Sequence, residues 1–328
     1  MSSTLSSGAS FRGLIRLRTA VLLAWILLAA SETARAIPQN TLQNTPISVA
    51  SAPSDTLDMA LAIFYKGDWQ RARTLFDLAA QAHPQDPRPV FFSSMIPFWD
   101  YFFVSRTPER AAEYLKASKR AIEMSEARLE RAPDDSTMVL LLSGLHGYRS
   151  LVAAGERMHM KALRSGVTGF GYTRRLLALG EERADVRIGK GMYHYMVGSV
   201  PSELNWALRL LNVEPGSVEQ GFRELELAAG DTTHFGTEAR MILAYLHRKE
   251  GNLAQALRHL DDLLADYPAN PIFHYLRADV LERGGRLDSA REAYALVLSF
   301  DNPAMAPLQA RSRERLRAAS PAVSSLIH

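Results

Sequence analysis

Two stretches of the chain share one pattern, GNLAQALRHLDDLLADYP (251–268) and GRLDSAREAYALVLSFDN (285–302). Five pairs of residues are each 34 positions apart: Gly251 and Gly285, Ala256 and Ala290, Leu260 and Tyr294, Leu263 and Val297, Ala244 and Ala278. A third copy, GDWQRARTLFDLAAQAHP (67–84), has equivalents in Gly67, Ala72, Phe76, Ala79 and Pro84, with Ala60 upstream. Self-similarity at a fixed period of about 20–50 residues is typical of solenoid proteins.

These residues resemble the tetratricopeptide repeat, in which each unit is a helix, a turn and a second helix. The resemblance is clearest at residues 53–86, 237–270 and 271–304. It implies that small residues allow close helix approach, that glycine makes the turn, and that a large apolar residue fills the space between repeats.

The rest of the chain also predicts helices, because apolar residues recur every three or four positions between breaks at Gly, Pro and Asp. Residues 88–131 and 135–180 each predict a helix pair. Residues 185–198 and 216–230 predict a further pair, separated by an insertion at 199–215. With a capping helix near 304–318, the prediction is six hairpins and one final helix.

The segment 180–304 is similar to the tetratricopeptide repeat protein 39 family and its bacterial relatives. The similarity rests on the order of four features: the Gly189-x-Gly191-x-Tyr193 helix, the insertion, the small-residue helix around Gly221, and two regular repeats. The expected fold is all-α, a right-handed solenoid whose first helices line a concave surface. A single hairpin cannot bury its apolar face, but stacked neighbours form one core.

The first 36 residues have the pattern of a secretory signal peptide. Arg12, Arg16 and Arg18 precede the apolar run Ala20–Ala30, and Ala34-Arg35-Ala36 is a small-x-small cleavage pattern. The run has 11 residues, whereas a membrane-spanning helix needs about 20. We therefore predict cleavage after Ala36 and a periplasmic or secreted protein, with an uncleaved anchor as the alternative.

Residues 37–54 contain no charged residue and no helical periodicity, so they predict a flexible linker. The repeat domain is expected at 55–318, followed by a disordered tail at 319–328. The chain has no cysteine, which excludes disulfides, thiolate metal sites and a lipid anchor on cysteine.

The net charge of +3 comes from the leader. Without residues 1–36 the chain has 34 basic and 34 acidic residues, and a balanced chain gives no support for nucleic-acid binding. Hydrophobic residues make up 47% and charged residues 22%, which are ordinary values for a folded protein.

No motif predicts catalysis, a cofactor or a metal. No histidine pair has the His-Glu-x-x-His spacing. Met158-His159-Met160 is more typical of alternate helix faces than of a soft-metal site. The glycine-rich stretch 165–171 lacks the ending and the preceding strand of a phosphate loop, and no Gly-x-Ser-x-Gly elbow occurs.

The aromatic run FFSSMIPFWDYFF (91–103) predicts a mostly buried helix kinked at Pro97. A ligand pocket or a membrane-facing patch is the alternative.

A binding function is the main prediction, because the repeats carry aromatic residues and charges of both signs at non-motif positions of their first helices. Those positions suit an extended peptide or protein segment, since aromatic and arginine anchors carry much of such binding energy. The alternative is a solvated polar face. The predicted binding residues are Met241, Tyr245, Arg248, Lys249, Tyr275, Asp279, Glu282 and Arg283.

The insertion is the second candidate, because Trp206, Leu208, Leu210 and Leu211 are too apolar to remain in water. We expect them to fold back over the concave groove, and docking to a partner or membrane is the alternative. The resulting hypothesis is a non-enzymatic extracytoplasmic scaffold for a protein or peptide. A hydrolase or transferase with a site near 185–215, and a membrane-associated envelope-assembly factor, are the alternatives.

Overall fold

The computed structural model describes residues 55–178, 182–210 and 213–318, and within these residues the regular structure is entirely helical. Six helical hairpins follow one another, and a final helix covers the last of them. The hairpins are α1 (Asp55–Tyr65) with α2 (Trp69–Ala82), α3 (Pro87–Trp99) with α4 (Pro108–Arg131), α5 (Ser136–Gly155) with α6 (His159–Ala178), α7 (Ala184–Gly198) with α9 (Val218–Ala229), α10 (His234–Glu250) with α11 (Leu253–Asp266), and α12 (Pro271–Arg283) with α13 (Leu287–Leu298).

The connection between α7 and α9 contains a 3₁₀ turn, Ser202–Leu204, and the short helix α8 (Asn205–Leu210). A second 3₁₀ turn, Pro303–Met305, leads into the final helix α14 (Ala306–Ala318). Each long helix packs mainly against its neighbours in sequence. This arrangement confirms the predicted all-α solenoid of hairpins. The predicted leader, linker and tail lie outside the described residues.

Three hairpins turn at a glycine with positive φ, at Gly67 (85°), Gly251 (82°) and Gly285 (73°). These are the glycines that define the repeat pattern in the sequence. A side chain is strained in this left-handed region, whereas glycine has no Cβ and enters it freely. The repeat therefore fixes glycine at this position for a backbone reason.

Close packing of α7 on α9 depends on glycines in both helices. A Cβ on Gly191 would lie 2.7 Å from Leu225 Cγ and 3.0 Å from the Gly221 carbonyl oxygen. A Cβ on Gly221 would lie 2.6 Å from the Tyr195 backbone nitrogen. The two backbones therefore touch, as the sequence predicted from the small residues of this pair.

The aromatic run forms α3 and a π-helical turn, Asp100–Val104, which continues the helix beyond Pro97. Phe92, Phe98 and Trp99 are buried. The Trp99 ring lies 4.8 Å from Phe64 in α1 and 6.2 Å from Phe273 in α12, between ring centroids. Most of this run is therefore a buried helix, as predicted, whereas Tyr101, Phe102 and Phe103 are half-buried and lie on the concave side of the solenoid.

The two ends of the solenoid meet. Asn270, just before α12, donates from Nδ2 to the Tyr65 carbonyl oxygen at the end of α1, 2.7 Å away. Asn302 donates in the same way to the Gly67 carbonyl oxygen at 3.0 Å. One hydrophobic cluster extends from Leu57 in α1 to Leu308 in α14. The first hairpin therefore contacts the last one, and the hairpins close into a ring.

Candidate binding groove on the concave face

A cavity of about 3130 Å³ runs along the inner face of the ring. Most of its lining comes from the first helices α3, α5, α7, α10 and α12, and the final helix α14 adds Arg311 and Arg315. First helices of the hairpins thus form the concave surface, as the tetratricopeptide resemblance implied. We refer to this cavity as the groove.

Three of the four residues predicted on α10 line the groove. Tyr245 is 42% exposed, Arg248 lies half-buried beside it, and the Lys249 ammonium lies 5.0 Å from the Tyr195 ring centroid. Met241 instead packs against the hydrophobic cluster. A helix presents only a narrow stripe to a concave surface, and Met241 lies towards the core side of that stripe.

Three of the four residues predicted on α12 also line the groove, namely Tyr275, Asp279 and Arg283. The buried Asp279 carboxylate accepts hydrogen bonds from Arg248 Nε at 2.5 Å and Arg283 Nε at 2.9 Å. This ion pair therefore joins two successive repeats. Glu282 points to α13, where it accepts from the Tyr294 hydroxyl at 2.8 Å.

The lining of the groove is rich in cations, with eleven basic and five acidic side chains. The acidic ones are Asp134, Asp135, Glu238, Glu250 and Asp279. Three of the basic side chains are paired with carboxylates just outside the lining, Arg88 with Asp86, Arg183 with Asp185 and Arg315 with Glu282. A smaller excess of basic side chains remains in the groove. An excess of one sign in a concave, partly apolar site raises the local concentration of oppositely charged ligands.

Five arginines gather at the end of the groove formed by α12 and α14. We refer to Arg106, Arg248, Arg283, Arg311 and Arg315 as the basic cluster. Within the described part of the chain, their ion pairs are with two carboxylates, those of Asp279 and Glu282.

Two members of the basic cluster keep donors without a protein acceptor. Arg106 forms no ion pair with a described residue, and Nε of Arg311 has no hydrogen-bond partner there. The Arg311 guanidinium carbon lies 5.1 Å from the Tyr275 ring centroid, and burial lowers the pKa of Arg311. Because guanidinium groups bind carboxylates through paired hydrogen bonds, this end of the groove can receive an anion.

Glu238 on α10 bridges the groove. Its carboxylate accepts from the Tyr148 hydroxyl at 2.7 Å and from the Tyr65 hydroxyl at 3.3 Å. Burial raises the pKa of Glu238, and the two hydroxyl hydrogen bonds oppose that rise. The bridge links α1 and α5 to α10. This role could not be predicted from a sequence pattern, because the three residues are far apart in the chain.

The predicted insertion residues lie in different environments. Leu208 is buried against Tyr193 and Val197 of α7, whereas Trp206 is 59% exposed. Neither residue lines the groove. The side chain of Leu210 and the whole of Leu211 lie outside the described residues. The expectation that Trp206 and Leu208 fold back over the groove is therefore wrong: Leu208 packs onto α7, and Trp206 is exposed to solvent.

Comparison with known proteins supports the repeat assignment. Residues 243–306 match the family model of the tetratricopeptide repeat. The match covers α11, α12 and α13 and confirms that the chain contains tetratricopeptide repeats. No curated protein matches the chain with significant similarity.

Tetratricopeptide repeats generally mediate protein–protein interactions, and proteins built from them are typically scaffolds without catalytic activity. None of the helices in the described part of the chain combines the length and apolar character needed to cross a membrane.

Proposed function

We propose that this chain is an extracytoplasmic scaffold that binds an extended, acidic segment of a protein partner in the groove. The observation that best supports this proposal is the position of the basic cluster beside Tyr245 and Tyr275 in the groove. A guanidinium-rich surface next to the exposed ring of Tyr245 and the half-buried ring of Tyr275 offers both charge-assisted hydrogen bonds and apolar anchors.

The chemistry of the groove favours an acidic partner segment over a basic one. The Arg106 side chain is exposed and forms no ion pair with a described residue, so a carboxylate of the segment would gain a charge-assisted hydrogen bond there without breaking an existing ion pair. Tyr245, 42% exposed, lies 5.9 Å from Phe102 between ring centroids. An aromatic or apolar side chain of the segment would pack on that pair.

An extracytoplasmic location rests on the leader pattern of the sequence, with its three arginines, its apolar run and Ala34-Arg35-Ala36. The test is N-terminal sequencing of the chain purified from its native cells, together with fractionation of those cells. A mature chain that begins at Ile37 supports export. An intact Met1 in the cytosolic fraction contradicts it.

Site-specific photocrosslinking tests the binding surface. A photoreactive phenylalanine replaces Tyr245 in the groove, or Leu296 on α13 as the control. The two positions match well, because Tyr245 is 42% exposed and Leu296 is 43% exposed, but Leu296 does not line the groove.

We expect crosslinks from position 245 to one or a few protein partners, each through an acidic segment identified by mass spectrometry. Equal crosslinking from position 296 would contradict binding in the groove. Crosslinked segments with a net positive charge would contradict the proposed chemistry.

A further inference from the structure

Three consecutive helices bring Glu226, His247 and His259 together on the side of the solenoid away from the groove. Glu226 lies on α9, His247 on α10 and His259 on α11. Their ligand atoms all lie within 4.8 Å of one another. Nε2 of His259 is hydrogen-bonded to Glu226 Oε1 at 3.0 Å, and Nε2 of His247 is 3.9 Å from the same oxygen. A metal ion bound between these atoms would take the place of the Nε2 proton of His259.

Both imidazoles are buried and under-bonded. His247 is 7% exposed and His259 is 2% exposed. Neither nitrogen of His247, nor Nδ1 of His259, has a hydrogen-bond partner within the described residues. Buried polar atoms in folded proteins are nearly always paired, and each exception needs an explanation.

Packing accounts for the orientation of the rings but not for their unpaired nitrogens. His247 stacks on Phe222 at 4.2 Å and on His259 at 5.7 Å, between ring centroids. Burial lowers the pKa of both histidines, which favours the neutral imidazole, the form that binds a metal ion.

The distances suit a zinc-type ion. Bonds of about 2.1 Å in a tetrahedral arrangement separate the donors by about 3.4 Å, and two imidazole nitrogens with one carboxylate oxygen are a known zinc donor set. The observed separations from Glu226 Oε1, 3.0 and 3.9 Å, lie on either side of that value. We propose that Glu226, His247 and His259 form a binding site for a divalent ion of the zinc class, which links α9, α10 and α11.

Solvent reaches the site through a cavity of about 440 Å³ lined by Glu226, His259, Arg258 and Asp262. The Arg258 guanidinium now lies 2.7 Å from Glu226 Oε1 and therefore competes with a cation for that oxygen. Its side chain is 53% exposed, so it can move into solvent. Asp262 lies one helical turn further along α11 and can pair with Arg258 once it has moved.

Titration of the full, tag-free chain with ZnCl₂ after chelator treatment tests the site. We expect one equivalent to bind. Glu226→Gln should weaken binding by more than about 100-fold, because even partners in the outer shell of a metal site contribute roughly 10–100-fold. Arg258→Ala should strengthen binding, since it removes the competing cation.

The controls are Glu219→Gln on the exposed face of α9 and His159→Gln at the start of α6; neither change should affect the affinity. Glu226 is partly exposed and Glu219 is exposed, so both variants should fold. X-ray absorption at the zinc edge should show two imidazole ligands.

Several outcomes would overturn the proposal: no saturable binding, unchanged affinity in Glu226→Gln, weaker binding in Arg258→Ala, or equal weakening in either control. Each of these results would leave the groove proposal intact, because none of the varied residues lines the groove apart from His159, which serves only as a control.

Discussion

The Asn270 side chain makes two kinds of hydrogen bond, one that closes the ring and one that caps a helix, and variants can remove them separately. Oδ1 of Asn270 accepts from the Ile272 backbone N–H at 2.8 Å and caps α12. Its Nδ2 donates to the Tyr65 carbonyl oxygen, and Asn270 is 0% exposed. Serine caps a helix about as well as asparagine but cannot reach Tyr65. Asn270→Ser therefore removes only the hydrogen bond to Tyr65, and Asn270→Ala removes both that bond and the helix cap.

The expected costs follow from these contacts. Loss of the closure bond leaves the buried Tyr65 carbonyl unpaired, which costs about 1–3 kcal/mol. Loss of a cap costs about 1 kcal/mol. We therefore expect Asn270→Ser to destabilise the ring by about 1–3 kcal/mol and Asn270→Ala by about 2–4 kcal/mol. Ser217→Ala, which removes only the cap on Gln220 N–H at α9, should cost about 1 kcal/mol and is the matched control.

Hydrogen exchange followed by mass spectrometry measures the effect where it should occur, in α1 and α2. Local opening free energies differ along a solenoid, so a local readout is preferable to one global transition. A change of 1–3 kcal/mol corresponds to about 5- to 150-fold faster exchange in α1. If Asn270→Ser leaves exchange in α1 unchanged, or changes it no more than Ser217→Ala does, the closure bond does not hold the ring together.

Three further predictions concern packing, charge and pH. Gly191→Ala should lower the free energy of unfolding by about 1–3 kcal/mol, because the new methyl group overpacks the contact between α7 and α9. The control is Gly171→Ala, whose Cβ meets nothing within 4 Å and which should be neutral or stabilising. Urea unfolding measures both variants. Arg106→Asn removes the guanidinium but keeps a residue type that tolerates the positive φ of 56° at this position. It should weaken the binding of a fluorescently labelled peptide rich in Glu and Tyr, measured by fluorescence anisotropy. It should not change the binding of a control peptide in which Lys replaces each Glu. Because the folded pKa of Glu238 is raised, unfolding free energy should fall as pH rises above the unfolded pKa of the carboxyl group, and Glu238→Gln should flatten that slope.

The sequence predicted the features of the fold that depend on local pattern. The helices follow from apolar periodicity, and the turns follow from glycines such as Gly251 and Gly285, whose positive φ only glycine adopts without strain. The contact of α7 with α9 followed from Gly191 and Gly221, because the absence of a Cβ in both helices is itself the cause of the close approach.

Ring closure could not be predicted in this way. It depends on small rotations between successive hairpins that add up over the whole chain, and no single spacing encodes that sum. Asn270 reads in the sequence as an ordinary helix cap before proline, and nothing local shows that its amide also reaches residue 65.

Residues of the candidate sites were likewise predicted only where they follow a local repeat pattern. Tyr245, Arg248, Tyr275 and Asp279 were predicted because they follow a repeat position, and they line the groove. Arg106 lies in a loop outside any repeat. Likewise, the proposed site of Glu226, His247 and His259 was not predicted, because its three residues come from three helices and their spacing in sequence matches no metal motif.

The closed ring has a consequence for binding, because the residue that closes it also positions the groove. Asn270 fixes the first turn of α12, and α12 carries Tyr275, Asp279 and Arg283 on its inner face. An open solenoid could flex at each hairpin contact and would lose that freedom on binding a segment. A ring held at Tyr65 has lost much of it already, and preorganisation of this kind reduces the cost of association. A groove variant and a closure variant should therefore weaken binding by different routes, the first by removing contacts and the second by restoring flexibility to α12.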